Sequence, residues 1–126
     1  MTLTNFILVG FGGFLGSIFR YIIATNIKST EFPYATLVAN FIGCFIIGFL
    51  MFYFSRNPNN NMKLFFITGM MGGLTTFSTF SFETFNLIKQ QEIIKAFMNA
   101  SISLFTCILL TSIGYKLSEV FLKTKL

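Results

Sequence analysis

Four long apolar stretches dominate this chain, and short polar segments separate them. The stretches cover residues 6–25, 34–54, 64–85 and 96–117. A helix needs about 20 mostly apolar residues to cross a membrane, and each stretch is long enough. Their apolar residues do not alternate with polar ones, as the strands of a membrane β-barrel would require. The pattern therefore predicts an all-α membrane protein with four transmembrane helices.

The composition predicts the same class. Hydrophobic residues make up 54% of the chain and charged residues only 10%, whereas soluble domains carry about 25% charged residues. A soluble chain of 126 residues could not hide so much apolar surface from water. Residues 1–126 are thus predicted to form a single four-helix transmembrane domain, with the lipid bilayer as its solvent.

The net charge and the cysteines do not indicate a further binding partner or a metal site. The net charge is +5, but the basic residues are scattered near the ends of the apolar stretches, which does not indicate a nucleic-acid partner. Cys44 and Cys107 each lie inside an apolar stretch. We interpret both as small buried hydrophobic residues, and not as a disulfide or a metal-binding pair.

The third stretch holds an unusual group of glycines and hydroxyl side chains. Gly72 and Gly73 come before Leu74, and the hydroxyl residues that follow are Thr75, Thr76, Ser78, Thr79 and Ser81. Glycine lowers helix propensity, and hydroxyl groups compete for backbone hydrogen bonds. These residues predict a third helix that is broken within residues 72–76. The freed carbonyl groups could hold a cation. Alternatively, small residues and hydroxyl groups serve only to pack helices together.

Several side chains in and near this stretch suit a small anion. Phe77 and Phe80 are three residues apart and therefore share a helix face. Their ring edges are positive, and hydroxyl donors lie beside them. Asn40 is the single amide deep in the second stretch, and its NH₂ group supplies two donors. The alternatives are ordinary packing for the rings and an interhelical hydrogen bond for Asn40.

Two charged residues lie inside or near the predicted helices. Arg20 is the only charge in the first stretch, and Glu83 is near the end of the third. Charges within membrane spans are rare and usually mark a function or a pairing. Arg20 either attracts anions into a vestibule or extends to the membrane surface. Glu83 is either a partner of another group or an interfacial residue.

Positive charges show only a weak bias toward one side of the predicted bundle. One side would hold the larger set, and the other would hold Lys28, Lys89 and Lys95. The larger set is Arg56, Lys63, Lys116, Lys123 and Lys125. Cytoplasmic loops usually collect Lys and Arg, so this weak bias allows insertion in both orientations. A single orientation, with the larger set inside the cell, is the alternative.

Residues 72–83 resemble the signature of the CrcB/Fluc family of fluoride channels, whose third helix carries G-G-L-T-T-F-S-T-F-S-x-E. The chain matches this signature at every specified position. The segment G-G-F-L-G-S-I-F-R-Y, residues 12–21, is similar to the family's G-G-x-x-G-x-x-x-R-Y, and its G-x-x-x-G spacing predicts a close helix approach. Residues 35–49 resemble the second-helix pattern, except that Ala39 separates Val38 from Asn40. At Asn99 the family often has tyrosine, so the fourth helix matches less well.

The resemblance implies an antiparallel, dual-topology homodimer in the plasma membrane that conducts fluoride passively. It implies a fluoride pathway along Asn40, Phe77, Phe80, Ser78, Thr79, Ser81 and Ser103, with Arg20 and Glu83 in vestibule or structural roles. It also implies a structural Na⁺ at the dimer axis, held by the backbone carbonyls of Gly72 and Thr75.

Two other classes of membrane protein are alternatives to a channel. A small dual-topology cation or drug exporter is expected to bury an acidic residue, but this chain has no Asp, and only Glu83 lies within a predicted helix. A non-conducting scaffold would explain the glycines but would not need Asn40 or the hydroxyl groups. We expect no enzyme, because the chain lacks histidine and has no paired carboxylates.

Overall fold

The fold is known from a computed structural model, which describes residues 2–124. Within that range the chain is helical and contains no strand. The helices are α1 (Leu3–Asn26), α2 (Tyr34–Arg56), α3 (residues 60–74), α4 (Phe77–Lys89) and α5 (Ile93–Lys123). Together, α3 and α4 form the third predicted helix, so the prediction of four helices with a broken third one is confirmed. The helices α1, α2 and α5 are each long and apolar enough to cross a membrane.

Two of the three predicted polar connectors are longer than the observed ones. The connector placed at residues 55–63 ends early, because the Asn59 side chain accepts a hydrogen bond from the Met62 N–H at 3.0 Å and so begins α3. The connector placed at residues 86–95 is only the turn between Lys89 and Ile93. Polar side chains in the end turns of a helix can face water, which is why composition alone placed these boundaries wrongly.

The helix α3 is not uniform. An α-helical turn, Asn60–Lys63, leads into a π-helix, Leu64–Met71, and a last α-helical turn, Gly72–Leu74, closes it. A π-helix is wider than an α-helix and is often found near functional sites. The sequence pattern predicted the break after this segment but not the π-helix before it.

Glycines allow two pairs of helices to touch backbone to backbone. Along the α1–α3 contact, a Cβ atom on Gly16 would overlap the carbonyl oxygen of Met70, and one on Gly73 would overlap the backbone of Gly13. Along the α2–α5 contact, a Cβ atom on Gly48 would overlap the backbone of Thr111. The close helix approach predicted from the G-x-x-x-G spacing is thus confirmed for α1.

Most of the outer surface is apolar. Only 11% of the most apolar window of α1 is buried inside the subunit, and large aromatic and aliphatic side chains line its outer face. The buried core is small and centres on Ala39, Met71 and Leu74. A surface of this kind suits contact with lipid tails or with another apolar protein surface.

Candidate functional site

The break in the third segment consists of two extended residues between α3 and α4. Thr75 has φ −81° and ψ 151°, and Thr76 has φ −149° and ψ 122°. The helix α3 ends at Leu74 and α4 begins at Phe77. This is within the range of residues 72–76 where the break was predicted.

Asn40 joins this break to α2 through two hydrogen bonds. The Thr76 N–H donates to Oδ1 of Asn40 at 2.7 Å, and Nδ2 of Asn40 donates to the Thr76 carbonyl oxygen at 3.2 Å. In a continuous α-helix the Thr76 N–H would bond to the carbonyl of Gly72. Because that N–H bonds to Asn40, the Gly72 carbonyl loses its helical donor.

Thr76 also caps the start of α4. Its Oγ1 accepts a hydrogen bond from the Thr79 N–H at 3.2 Å, as an N-cap residue does. In a continuous helix that N–H would bond to the carbonyl of Thr75. The break therefore deprives the carbonyls of Gly72 and Thr75 of their helical donors. Gly72 is also exposed, with no atom within 4 Å of the position that a Cβ would take.

Hydroxyl groups cluster around Thr76. Its Oγ1 lies 3.1 Å from Oγ1 of Thr79 and 3.2 Å from Oγ of Ser78. Ser81 lies outside this cluster, because its hydroxyl donates to the Phe77 carbonyl at 2.8 Å and is exposed. Ser103 is on α5, where its hydroxyl is buried without a hydrogen-bond partner in the described part of the chain. The structure thus brings Ser78 and Thr79 to Thr76 and Asn40, while Ser81 and Ser103 lie apart.

The two aromatic rings lie side by side at the start of α4. The ring centroids of Phe77 and Phe80 are 5.4 Å apart, and their planes are inclined by 42°. The predicted shared face of these residues is therefore confirmed. Phe77 is 79% exposed in the single subunit, while Phe80 is half-buried.

Glu83 lies in the middle of α4, because the helix continues to Lys89, so its predicted position near a helix end is wrong. Its Oε1 accepts a hydrogen bond from the Thr36 hydroxyl at 2.8 Å. Its Oε2 is buried without a hydrogen-bond partner among residues 2–124, and so is Nε of Arg20. Both residues line a pocket of about 420 Å³ that also reaches Thr76 and Thr79. The site therefore has a charged recess on the side where α1 ends and α2 begins.

Comparison with known proteins matches most of the chain to one family. Residues 7–115 match the family described as "CrcB-like protein, Camphor Resistance (CrcB)". The chain belongs to the CrcB family. The match covers α1 to α5 and includes each predicted site residue, so the resemblance on residues 72–83 is confirmed.

Relatives of this CrcB chain carry the name "Fluoride-specific ion channel FluC". The chain is 44% identical to the protein of Clostridium novyi over 122 residues, which cover 90% of this chain and 93% of that protein. It is 45% identical to the protein of Methanocaldococcus jannaschii over 112 residues, or 86% and 89% of the two chains. With the protein of Nitratiruptor it shares 51% identity over 94 residues, covering 72% and 73%. These names are those of ion channels, so the exporter alternative is not favoured.

Two connections in the CrcB chain were not predicted. Thr36 lies four residues before Asn40 on α2, and this spacing on one helix face could have identified it as a neighbour of the site. Nδ2 of Asn99 donates to Oγ1 of Thr84 at 2.9 Å, and that hydroxyl donates to the Phe80 carbonyl at 2.8 Å. Asn99, the position that departs from the family pattern, therefore links α5 to the helix that carries Phe80.

Proposed function

We propose that this chain is a passive, fluoride-selective ion channel that lets cytoplasmic fluoride leave across the plasma membrane. The carrying observation is the group of amide, hydroxyl and aromatic side chains at the break, in a chain whose relatives are named fluoride-specific ion channels. Fluoride is small and strongly hydrated, so a pathway must supply many donors without binding the ion too tightly.

The pathway that we propose runs past the break and along α4. One hydrogen of the Asn40 amide bonds to Thr76, and the second would donate to fluoride. Phe77 and Phe80 would offer their positive ring edges. Hydroxyl groups would continue the route, those of Ser78, Thr79, Ser81 and Ser103. Arg20, in the recess beside Glu83, would attract the anion into the vestibule.

Acid chemistry explains why a passive channel would relieve fluoride toxicity. Hydrogen fluoride is a neutral weak acid that crosses membranes and dissociates where the pH is higher. The anion is then trapped inside the cell. A channel would let it leave down its own electrochemical gradient without an energy source.

We further propose that two copies assemble as an antiparallel dimer and line the pathway together. Two observations support this assembly. The positive charges show only a weak bias toward one end of the bundle, which allows both orientations. The ring of Phe77 and the backbone at Gly72 are exposed on the single subunit, although both belong to the site.

The carbonyl groups at the break fit a structural Na⁺ at the dimer axis. Gly72 and Thr75 are among the residues at the break whose carbonyls lose their helical donors, in their case to Asn40 and to the Thr76 side chain. Unwound carbonyls of this kind coordinate Na⁺ in membrane transporters. The ion would supply fixed positive charge that compensates these oxygen dipoles inside the membrane.

Ion efflux from liposomes tests the function. The pure protein is reconstituted in liposomes that hold potassium fluoride or potassium chloride, and efflux is followed with ion-selective electrodes after valinomycin is added. Fast fluoride release with little chloride release is the expected result. Protein-free liposomes give the background rate. If well-folded protein released neither anion, or released chloride as fast as fluoride, the proposed function would be wrong.

A further inference from the structure

The helices α2 and α5 run parallel and touch in a regular register. The backbone of Thr111 meets Gly48, and the ring of Tyr115 packs edge-on against that of Phe52 with centroids 5.0 Å apart. These contact pairs advance together by four residues, or about one turn, on each helix. One turn earlier, the same register brings Cys44 of α2 opposite Cys107 of α5.

The register places the two cysteines at facing positions of α2 and α5. Their side chains are near enough to interact with each other. Both cysteines are half-buried and neither is in a disulfide. From the sequence, the two cysteines are interpreted as separate buried hydrophobic residues. Their placement opposite each other could not be predicted, because the sequence alone does not reveal which faces of two helices meet.

We propose that Cys44 and Cys107 form a two-coordinate binding site for a soft divalent metal ion, Hg(II). Sulfur ligands select soft metal ions, and the thiolate is the form that binds. When mercuric chloride binds, two S–Hg bonds form and two Hg–Cl bonds break. Each thiol gives up its proton, so two protons and two chloride ions leave, and no electron is transferred.

Charge balance explains why this site suits a membrane interior. Two thiolates carry two negative charges, and Hg(II) cancels both, so the bound site is neutral. A neutral site avoids the large penalty for charge at membrane depth. Mercuric chloride is itself neutral and can reach the site through the bilayer. The bound ion would join α2 to α5 through side chains at facing positions of the two helices.

A mercury titration of the purified full-length protein tests the proposal. Intact-mass spectrometry counts bound metal, and absorbance of the mercury–thiolate bond follows binding in competition with glutathione. The wild type should retain one Hg(II) per chain. Cys44→Ser and Cys107→Ser should each bind at least about a hundredfold more weakly, because a second tethered ligand adds a factor of that order.

A matched control keeps two thiols but separates them. In Cys107→Ser/Ile108→Cys the second thiol moves to an exposed position on another face of α5, since Ile108 is 59% exposed. This variant should bind mercury no better than the single-cysteine variants, and mercury should raise the unfolding temperature of the wild type alone. Folding of each variant is checked by its unfolding temperature without metal. If the shifted variant matched the wild type, or if Cys44→Ser bound as tightly, the two-coordinate site would be refuted.

Discussion

At the scale of single residues, Asn40 stabilises the break between α3 and α4, because the oxygen and the nitrogen of its side-chain amide both bond to backbone there. Its oxygen accepts from the Thr76 N–H and its nitrogen donates to the Thr76 carbonyl. Both groups belong to extended backbone, which has no helical partner to replace Asn40. The residue is therefore a structural support as well as a proposed fluoride ligand.

Replacing Asn40 should weaken the fold. Asn40→Ala leaves two part-buried backbone groups without their partner, and we expect the free energy of unfolding to fall by about 1–3 kcal/mol. Denaturant unfolding in detergent measures this change. Asn26→Ala is the control, because its amide is exposed and, within residues 2–124, bonds only to the Ile22 carbonyl. Equal losses in the two variants would contradict the structural role of Asn40.

The ring of Phe80 is predicted to act on the ion itself. Phe80→Ile should reduce fluoride efflux about tenfold or more while the proposed dimer stays intact, since about 1.4 kcal/mol of lost stabilisation is a factor of ten in rate. The liposome assay measures efflux, and size-exclusion chromatography checks the assembly. Phe82→Ile serves as the control, because Phe82 is on the same helix but points elsewhere and is 64% exposed. Unchanged efflux in a folded Phe80→Ile protein would exclude a direct role for this ring.

At the scale of elements, the sequence predicted the number of helices and the position of the break. Long apolar runs are sufficient for the first, and the run of glycine and hydroxyl residues after Met71 is sufficient for the second. The helix ends were missed because Asn59 and the turn after Lys89 act through local hydrogen bonds that composition does not reveal.

The contacts between helices could not be predicted from the sequence. The bonds from Asn40 to Thr76 and from Thr36 to Glu83 depend on the register of α2 against the third segment. Hydrophobic patterns indicate which residues are apolar, but they do not fix how one helix slides along another. Ser103 shows the same limit, because the sequence does not reveal what lies next to its hydroxyl, which is buried without a hydrogen-bond partner in the described residues.

The contact between α1 and α3 gives a test of helix packing. Gly16→Ala places a methyl group against the Met70 carbonyl, and overpacking of this kind should destabilise the protein by about 1–3 kcal/mol. Gly10 lies on the same helix, where a Cβ would meet nothing within 4 Å. Gly10→Ala should therefore change stability little or raise it by about 0.5–1 kcal/mol through helix propensity. Unfolding measurements that rank the two variants in the opposite order would contradict the close contact of α1 with α3.

At the scale of the whole molecule, the distribution of charge bears on how the chain enters the membrane. Arg56, Lys63, Lys116 and Lys123 lie toward one end of the bundle, and Lys28, Lys89 and Lys95 toward the other. Lys125, which was counted with the first set, lies outside the described residues. Two ion pairs, Lys95–Glu92 at 3.3 Å and Lys123–Glu119 at 2.7 Å, reduce the positive charge at opposite ends.

Added lysines should therefore fix the orientation of the chain in the membrane and test whether efflux needs both orientations. Asn60→Lys/Asn61→Lys strengthens one end, and Ser29→Lys/Gln90→Lys strengthens the other, all at exposed positions. If the functional dimer is antiparallel, each double variant alone should lose most fluoride efflux from cells, and co-expression of the two should restore it. Cysteine labelling from each side of the membrane reports the orientation. Full efflux from a chain locked in one orientation would exclude the antiparallel dimer.

The break between α3 and α4 has a further consequence for the sign of the ions around it. A helix carries partial negative charge at its carboxyl end and partial positive charge at its amino end. The carboxyl end of α3 at Leu74 and the amino end of α4 at Phe77 are separated by only two residues. One interruption therefore presents a cation-attracting pole and an anion-attracting pole within a single span. The proposed sodium and fluoride sites would thus be neighbours without competing for the same ion, because the two helix ends carry partial charges of opposite sign.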